Sequence, residues 1–136
     1  MNSSYSENSF IICLGSNRSE GNDIIERCLL KIEEYISIKR ISDIYPSSSL
    51  NLNGEREKYY NCVFEGFTNL ELSFLEKKFK IIELLLGRDE EARKKGIVPI
   101  DIDIIIFNKA IIRDKDYRSQ YFQKGYKQLL KKATTR

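Results

Sequence analysis

The chain has 136 residues, the length of one domain, of which 41% are hydrophobic and 32% are charged. It contains no His and no Trp, so catalytic triads, Cys-His dyads and histidine-bound zinc are excluded. Its 23 Lys and Arg against 20 Asp and Glu give a net charge of +3, which is too small for a dedicated nucleic-acid-binding domain but suits an anionic small molecule.

The cysteines and the apolar segments predict a protein of a reducing compartment. Cys13, Cys28 and Cys62 are odd in number and lack CxxC spacing, as expected for buried thiols rather than a disulfide framework or a zinc site. No apolar run approaches the ~20 residues of a membrane span, and residues 1–8 lack the features of a signal peptide. We therefore expect a cytoplasmic protein without a membrane partner, with one domain over residues 9–136 after a disordered lead-in.

The first half of the chain predicts a strand, a helix and two further strands. Residues 10–14 form an apolar, β-branched run that is typical of a buried strand. Apolar residues recur at helical spacing over residues 25–36 and predict an amphipathic helix. Residues 38–46 and 59–67 alternate as strands do, and the polar residues 47–58 between them predict a long loop of the kind that is usually functional or mobile.

The second half predicts a helix, a charged loop and a strand of unusual composition. Thr68 and Glu71 have the spacing of a capping box, and the apolar positions behind them predict a helix that ends at Gly87. Residues 88–95 are a charged run, residues 100–107 give the strongest strand pattern, and the tail after them is basic and weakly helical. The order β-α-β-β-α-β predicts an α+β, ferredoxin-like fold, in which an antiparallel sheet carries both helices on one face.

Two aspartates lie inside the last predicted strand. Asp101 and Asp103 are two residues apart, so their carboxylates point to one side while the isoleucines at even positions of 100–106 pack the other. Neighbouring carboxylates repel each other, and a hard cation such as Mg²⁺, which proteins hold with one or two carboxylates plus substrate phosphates, would neutralise them. The alternative is an edge strand with two solvated aspartates.

Three further features accompany the aspartates. Arg88 and the cations at residues 93–95 provide the positive charge that phosphoryl transfer needs, although such a run is also typical of a solvated loop. Residues 15–17, Gly-Ser-Asn, form a turn with backbone N–H groups at a strand end. Tyr59 and Asn61 share one face of a strand, where they can stack on a flat heterocycle and bind its edge; a half-buried strand start is the alternative.

Together these motifs resemble the 6-hydroxymethyl-7,8-dihydropterin pyrophosphokinase family, folate-pathway enzymes that transfer pyrophosphate from ATP to a pterin hydroxymethyl group. The resemblance covers residues 10–126. It rests on Leu-Gly-Ser-Asn at 14–17, Tyr-x-Asn at 59–61, Glu83 followed by Leu-Gly-Arg at 86–88, and Ile-Asp-Ile-Asp at 100–103. It implies the ferredoxin-like fold, an active site in a groove of the sheet, and ATP and a pterin as partners; we expect a monomer.

The resemblance also implies roles for individual residues. Asp101 and Asp103 resemble the pair that binds two Mg²⁺ ions with ATP, and Arg88 resembles the first arginine of the family's catalytic loop. The implied pterin-binding residues are Tyr59, Asn61 and Tyr126, together with Ser47 and Leu50 through their backbone. The implied nucleotide-binding residues are Glu83, Arg88, Lys94, Lys95, Arg118 and Lys124.

The chain departs from the family pattern mainly in its nucleotide-binding half. Val98 stands where the family has the second catalytic-loop arginine, and Arg118-Ser119 stands where a Pro-His-Tyr segment lies in the family. The chain also ends earlier than the family pattern. We therefore expect an ATP-dependent pyrophosphokinase with slow turnover. The alternatives are a catalytically impaired paralogue that binds a pterin or a nucleotide, and a ferredoxin-like interaction module.

Overall fold

Six strands form one antiparallel sheet in the computed structural model, which describes residues 7–132. The strands are β1 (Asn8–Ser16), β2 (Ser37–Ile41), β3 (Tyr45–Leu50), β4 (Arg56–Thr68), β5 (Asp101–Phe107) and β6 (Ala110–Ile111). They lie in the order β2-β4-β1-β5-β6, and β3 pairs with β4 along the edge that β2 also uses. The helices are α1 (Gly21–Ile32), α2 (Leu72–Leu85), α3 (Glu90–Lys94), α4 (Asp114–Tyr117) and α5 (Gln120–Leu130). Among these helices, which belong to residues 7–132, none combines the length and apolar character that crossing a bilayer requires.

The two long helices α1 and α2 pack on one face of the sheet. Alternate residues of β1, such as Ile12 and Leu14, are buried in one core with Ile25 of α1 and Phe79 of α2. This arrangement follows from the period of two along the strand and the apolar stripes of both helices. The predicted α+β, ferredoxin-like fold is confirmed.

Helix α5, which the sequence indicated only as a weakly helical tail, covers the opposite face. Cys13 of β1 is buried there with Val63 of β4 and Phe122 of α5. The helix approaches the sheet most closely at Gly125, where a Cβ atom would lie 2.5 Å from Tyr45 Oη. The centre of the sheet is therefore buried on both faces.

A β-bulge interrupts the alternation of β5. The register with β1 shifts here, and Ile105 is the extra residue between the paired Ile104 and Ile106. Ile104 belongs to the core under α1 and α2, whereas Ile105 and Ile106 are buried on the α5 face. The prediction that Ile106 shares the side of Ile104 is therefore wrong. The alternation before the bulge is intact, so Asp101 and Asp103 lie together on the α5 face.

The predicted loop over residues 47–58 is instead a β-hairpin. β3 and β4 pair from Tyr45 opposite Asn61 to Leu50 opposite Arg56, and only the turn between the strands lacks pairing. Asn51 closes this turn, since its side-chain oxygen accepts hydrogen bonds from two backbone N–H groups inside it. The prediction was wrong because the hairpin is polar and mostly exposed, so it carries no apolar alternation.

Two predicted helix boundaries also differ from the structure. α1 ends at Ile32, and Ile36 is buried in the connection to β2 rather than in the helix. The charged run over residues 88–95 contains α3, which begins after Asp89, whose carboxylate accepts a hydrogen bond from Ala92 N–H. Acidic residues in the first turn and basic residues in the last complement the helix dipole.

The predicted capping box of α2 is wrong. Thr68 Oγ1 accepts a hydrogen bond from Leu70 N–H and donates one to the carbonyl of Tyr35, so it closes a turn before the helix. Glu71 occupies the N-cap position without a side-chain capping bond. The connection is therefore fixed to the end of α1 rather than to the first turn of α2.

The predicted disordered lead-in overlaps the first strand. Asn8 is the first residue of β1, and its amide donates a hydrogen bond of 2.7 Å to the carbonyl of Leu70. Residues 1–6 of that prediction lie outside the described residues.

Candidate active site

A cleft of about 280 Å³ opens on the α5 face of the sheet, where β1, β4 and β5 meet. Gly15 of β1 pairs with Asn61 on one side and with Asp101 on the other, so these two side chains flank a position without a side chain. Asp103, two residues after Asp101 on β5, and Tyr59, two residues before Asn61 on β4, line the same cleft. The structure thus brings Asp101 and Asp103 to one cleft with Ser47, Tyr59 and Asn61, whereas the predicted pterin-binding residues Leu50 and Tyr126 do not line it.

Two arginines flank the aspartate pair. Arg88 Nη1 lies 2.7 Å from Asp101 Oδ1, and Arg113 Nη2 lies 3.7 Å from Asp103 Oδ1. The side chains of Asp101 and Asp103 remain 35% and 20% exposed, so both carboxylates still face solvent in the cleft. β5 is an edge strand at the two aspartates, because it pairs with β6 only from Ile106 onward, but the arginine contacts and partial burial show that the carboxylates are not freely solvated.

The environment separates the pKa values of the two carboxyl groups. Burial, followed by the hydrogen bond and charge of Asp101, raises the pKa of Asp103 well above its usual range. Burial opposes the ionisation of Asp101 as well, but hydrogen bonds from Asp103 and Arg88 lower its pKa. The pKa values of the two carboxyl groups are therefore shifted in opposite directions, as expected of neighbouring carboxylates.

Glu83 of α2 holds Arg88 in place through an ion pair. It is 3% exposed, and its Oε2 atom accepts a hydrogen bond of 2.8 Å from the backbone N–H of Ile102 and lies 3.2 Å from Arg88 Nη1. The carboxylate thus joins α2, β5 and the arginine. Its burial leaves little surface for a nucleotide, so the structure favours an indirect role over the predicted nucleotide contact.

Ser47 sets the orientation of the Asn61 carboxamide. Asn61 Nδ2 donates hydrogen bonds to Ser47 Oγ, at 2.6 Å, and to the carbonyl of Tyr45, at 3.4 Å. The amide oxygen therefore points towards Gly15 and the cleft, where it can accept a hydrogen bond. Burial raises the pKa of the neighbouring Tyr59 phenol, which stays neutral at physiological pH.

The predicted position of Tyr126 opposite Tyr59 is wrong. Tyr126 stacks on Phe122 with ring centroids 5.2 Å apart and lines a separate cavity beside Glu65. Tyr121, one turn earlier on α5, lines the cleft instead. The sequence contains a signal for this position: Tyr121 and Gly125 are four residues apart, so they lie on the same face of α5, the one that approaches the sheet.

Of the predicted nucleotide-binding cations, two line a groove next to the cleft and two lie away from it. Lys94 and Lys95 line an adjoining groove together with residues at the tip of the β3–β4 hairpin. Leu50 is one of these hairpin residues. Arg118 is exposed and pairs with an aspartate of α4, and Lys124 Nζ lies 5.6 Å from the Tyr45 ring centroid. Neither of these last two side chains lines the cleft.

Asn17 anchors the segment that follows α3. Its side chain donates a hydrogen bond of 3.0 Å to the carbonyl of Gly96 and accepts one of 2.7 Å from Val98 N–H. Its backbone N–H donates to the carbonyl of Val98. The predicted turn at residues 15–17 is wrong, because Gly15 and Ser16 are the last residues of β1, and the backbone N–H group of Asn17 is not free for a ligand.

The protein offers a limited set of metal ligands at the cleft. Within residues 7–132, no group of three or more Cys, Asp or Glu side chains is arranged to hold a metal ion. Asp101 and Asp103 supply carboxylate oxygens, which are the ligands that Mg²⁺ prefers. A bound Mg²⁺ ion would need its other ligands from water and from substrate phosphates.

Known proteins resemble this chain in sequence and in fold. A family model described as 7,8-dihydro-6-hydroxymethylpterin-pyrophosphokinase (HPPK) matches residues 11–129. A 2-amino-4-hydroxy-6-hydroxymethyldihydropteridine pyrophosphokinase from Aquifex aeolicus is 33% identical over 75% of this chain and 62% of its own length. The protein of the same name from Helicobacter pylori is 30% identical over 80% of this chain and 68% of its own length. A Plasmodium falciparum HPPK-DHPS structure with pteroate has a TM-score of 0.54 and 17% identity over 79% of this chain and 29% of that chain. The chain thus spans less than two thirds of the Aquifex relative, and the structural likeness supports the fold alone.

The buried position of Glu83 predicts a large effect on stability. Glu83→Ala leaves the Ile102 N–H group without an acceptor and Arg88 with one carboxylate fewer, so we expect a loss of about 3 kcal/mol in the free energy of unfolding. Urea denaturation measures it. Glu83→Gln retains an acceptor for Ile102 and should lose less. Glu76→Ala, on the exposed side of α2, is the control, and an equal effect in Glu76→Ala and Glu83→Ala would contradict this assignment.

Proposed function

Because the chain belongs to the 7,8-dihydro-6-hydroxymethylpterin-pyrophosphokinase family, we propose that it transfers pyrophosphate from ATP to 6-hydroxymethyl-7,8-dihydropterin and releases AMP. The observation that carries the proposal is the common cleft of Asp101 and Asp103 with Tyr59 and Asn61. The carboxylates suit a metal-bound triphosphate, and the aromatic and amide side chains suit a flat heterocycle. Both substrates can therefore meet at one site.

Mg²⁺ is the proposed cofactor, as two ions that bind with ATP. Asp101 and Asp103 fit this role because their carboxylates stand side by side and remain partly exposed in the cleft. Bound Mg²⁺ neutralises phosphate oxygens and orients the triphosphate. Asp101 and Asp103 would hold the ions at the β5 side of the cleft.

The cations around the cleft orient the phosphates. Arg88 is fixed by Asp101 and Glu83, so its positive charge stays at the aspartate end of the cleft. Lys94 and Lys95 are exposed on and after α3, beside a groove that Tyr59 also lines. Positioning and charge neutralisation of this kind are the main requirements of phosphoryl transfer.

The pterin lies against β4 in this proposal. Tyr59 supplies a neutral aromatic face, and the Asn61 oxygen accepts a hydrogen bond from an N–H group at the edge of the heterocycle. Ser47 lines the same wall. These contacts direct the hydroxymethyl group of the pterin towards the aspartate end, where the pyrophosphate is transferred.

One feature favours the second candidate, a catalytically impaired paralogue that binds a pterin or a nucleotide. Val98 is held through its backbone by Asn17, so this position is fixed and carries an apolar side chain in place of the family's second catalytic-loop arginine. The active enzyme remains the leading proposal, with slow turnover as its expected property.

We also propose that the enzyme is monomeric and cytoplasmic and that residues 9–136 act as one domain. The single sheet that residues 8–111 share supports the domain proposal. Cys13, Cys28 and Cys62 are free and buried, and burial raises the pKa of each thiol, as suits a reducing compartment.

The activity itself is measured by coupled detection of AMP. We expect AMP release from ATP that depends on both Mg²⁺ and added 6-hydroxymethyl-7,8-dihydropterin. Binding of both substrates without AMP release would instead support the impaired paralogue.

The aspartate pair predicts Mg²⁺-dependent nucleotide binding. In calorimetry with a non-hydrolysable ATP analogue, affinity should require Mg²⁺ and fall by at least about tenfold in Asp101→Asn and in Asp103→Asn, because two carboxylates alone bind Mg²⁺ weakly. Asp23→Asn, on the exposed face of α1, is the control. Unchanged affinity in both cleft variants would rule out the metal assignment.

The cleft predicts which rings contact the pterin. Tyr59→Ala should weaken pterin binding by about 1 kcal/mol or more, the scale of an aromatic pair with its buried area. Asn61→Ala should weaken it as well, through the lost hydrogen bond. Tyr126→Ala should not, because this ring lines a different cavity. Calorimetry in the presence of the Mg²⁺-bound ATP analogue measures these affinities, and a loss in Tyr126→Ala alone would place the pterin elsewhere.

The apolar side chain at position 98 predicts slow turnover. Val98→Arg should raise kcat by about tenfold or more with little change in pterin affinity, because arginines aimed at a transferring phosphate act mainly in the transition state. Lysines nearby lack the bidentate guanidinium fork. Val98→Leu is the matched apolar control. Steady-state kinetics would contradict the assignment if both substitutions left kcat unchanged.

A further inference from the structure

Asp116 of α4 lies next to Tyr121, which lines the cleft, and both of its carboxylate oxygens have partners. Its Oδ2 atom lies 2.7 Å from Arg113 Nε, and its Oδ1 atom accepts a hydrogen bond from Tyr121 Oη. The side chain is 23% exposed, so the contacts are partly shielded from water. One carboxylate thus fixes two side chains that arrive from different elements.

The two partners of Asp116 lie at different places: Tyr121 lines the cleft, whereas Arg113 lines a neighbouring cavity with Glu83 and Ile102 and reaches towards Asp103 from there. Arg113 extends its Nη2 atom to 3.7 Å from Asp103, a distance that leaves it without a direct hydrogen bond to that carboxylate. Tyr121 lines the cleft from α5, and its backbone carbonyl accepts a hydrogen bond from Tyr45 Oη on β3. Tyr45 therefore fixes the backbone of Tyr121, and Asp116 fixes the direction of its ring.

The backbone of Asp116 is itself well anchored. Its carbonyl accepts hydrogen bonds from the hydroxyl and the N–H group of Ser119. Ser119 is also the N-cap of α5, where its hydroxyl accepts a hydrogen bond from Phe122 N–H. The carboxylate therefore stands at a rigid junction between α4 and α5, unlike the flexible partners of an ordinary surface ion pair.

We propose that Asp116 is a positioning residue that holds Arg113 at the aspartate end of the cleft and Tyr121 over its centre. This inference rests on the proposed function, because it assigns Arg113 to the triphosphate side and Tyr121 to the pterin side. Without Asp116, the long side chain of Arg113 lacks its only anchor within hydrogen-bond distance among the described residues, and the Tyr121 ring is free to turn.

Two substitutions separate the halves of this junction. Asp116→Asn can still bind Tyr121, because its N–H₂ group can donate to Tyr121 Oη, but its neutral oxygen replaces the charge-assisted bond to Arg113 Nε with a weaker one, so Arg113 is held less firmly. We expect the KM for Mg²⁺-ATP to rise by about tenfold, with a much smaller change for the pterin. Tyr121→Phe should raise the pterin KM and leave the KM for Mg²⁺-ATP unchanged. Asp43→Asn, an exposed aspartate paired with Lys132 far from the cleft, and Tyr35→Phe are the controls.

A double-mutant cycle tests whether Asp116 acts through Arg113. If it does, the variant with both Asp116→Asn and Arg113→Gln has the same KM for Mg²⁺-ATP as Arg113→Gln alone. Additive effects of the two substitutions would overturn the proposal. So would an Asp116→Asn variant that raises both KM values equally while its unfolding midpoint falls, because that pattern indicates general loosening.

Failure of the proposed function can be distinguished from failure of the Asp116 proposal. Wild-type protein that binds Mg²⁺-ATP without releasing AMP overturns the proposed activity, and calorimetric affinities of the same variants then decide the role of Asp116. Wild-type protein that binds neither the Mg²⁺-bound ATP analogue nor the pterin overturns both proposals.

Discussion

Two carboxylates on the same side of a half-buried strand repel each other, and the surroundings of β5 are organised to contain that repulsion. Arg88 approaches Asp101 from one side and Arg113 approaches Asp103 from the other. Each arginine is held in turn by a second carboxylate, from α2 or from α4. Positive and negative groups therefore alternate from the helix layer to the cleft, and the strand keeps two carboxyl groups that a strand interior otherwise disfavours.

The same constraint explains why the two proposed substrate sites adjoin. β1 lies between β4 and β5, and Gly15 leaves an open floor between Asn61 and Asp101. A side chain at this position would lie 3.7 Å from the Asn61 oxygen and would fill part of the space between the two sites. The α5 face is thus polar and open at the cleft and packed with apolar residues at the other end of the sheet.

Local rules predicted much of this molecule from its sequence. The shared orientation of Asp101 and Asp103 follows from strand geometry alone, and the two long helices follow from apolar periodicity. The bulge at Ile105 was invisible because it depends on pairing with β1. The exchange of Tyr126 for Tyr121 depends on how α5 is rotated against the sheet, which the close approach at Gly125 fixes. Arg113 carries no local signal, since tertiary structure alone brings it to Asp103.

The anchoring of Asn17 has a consequence for the energetics of substrate capture. The cation-bearing segment, residues 89–97, is fastened at one end through Arg88 and at the other through the hydrogen bonds between Asn17 and Val98. A chain segment clamped at both ends samples far fewer conformations than a free loop, so less entropy is lost when it settles over a ligand.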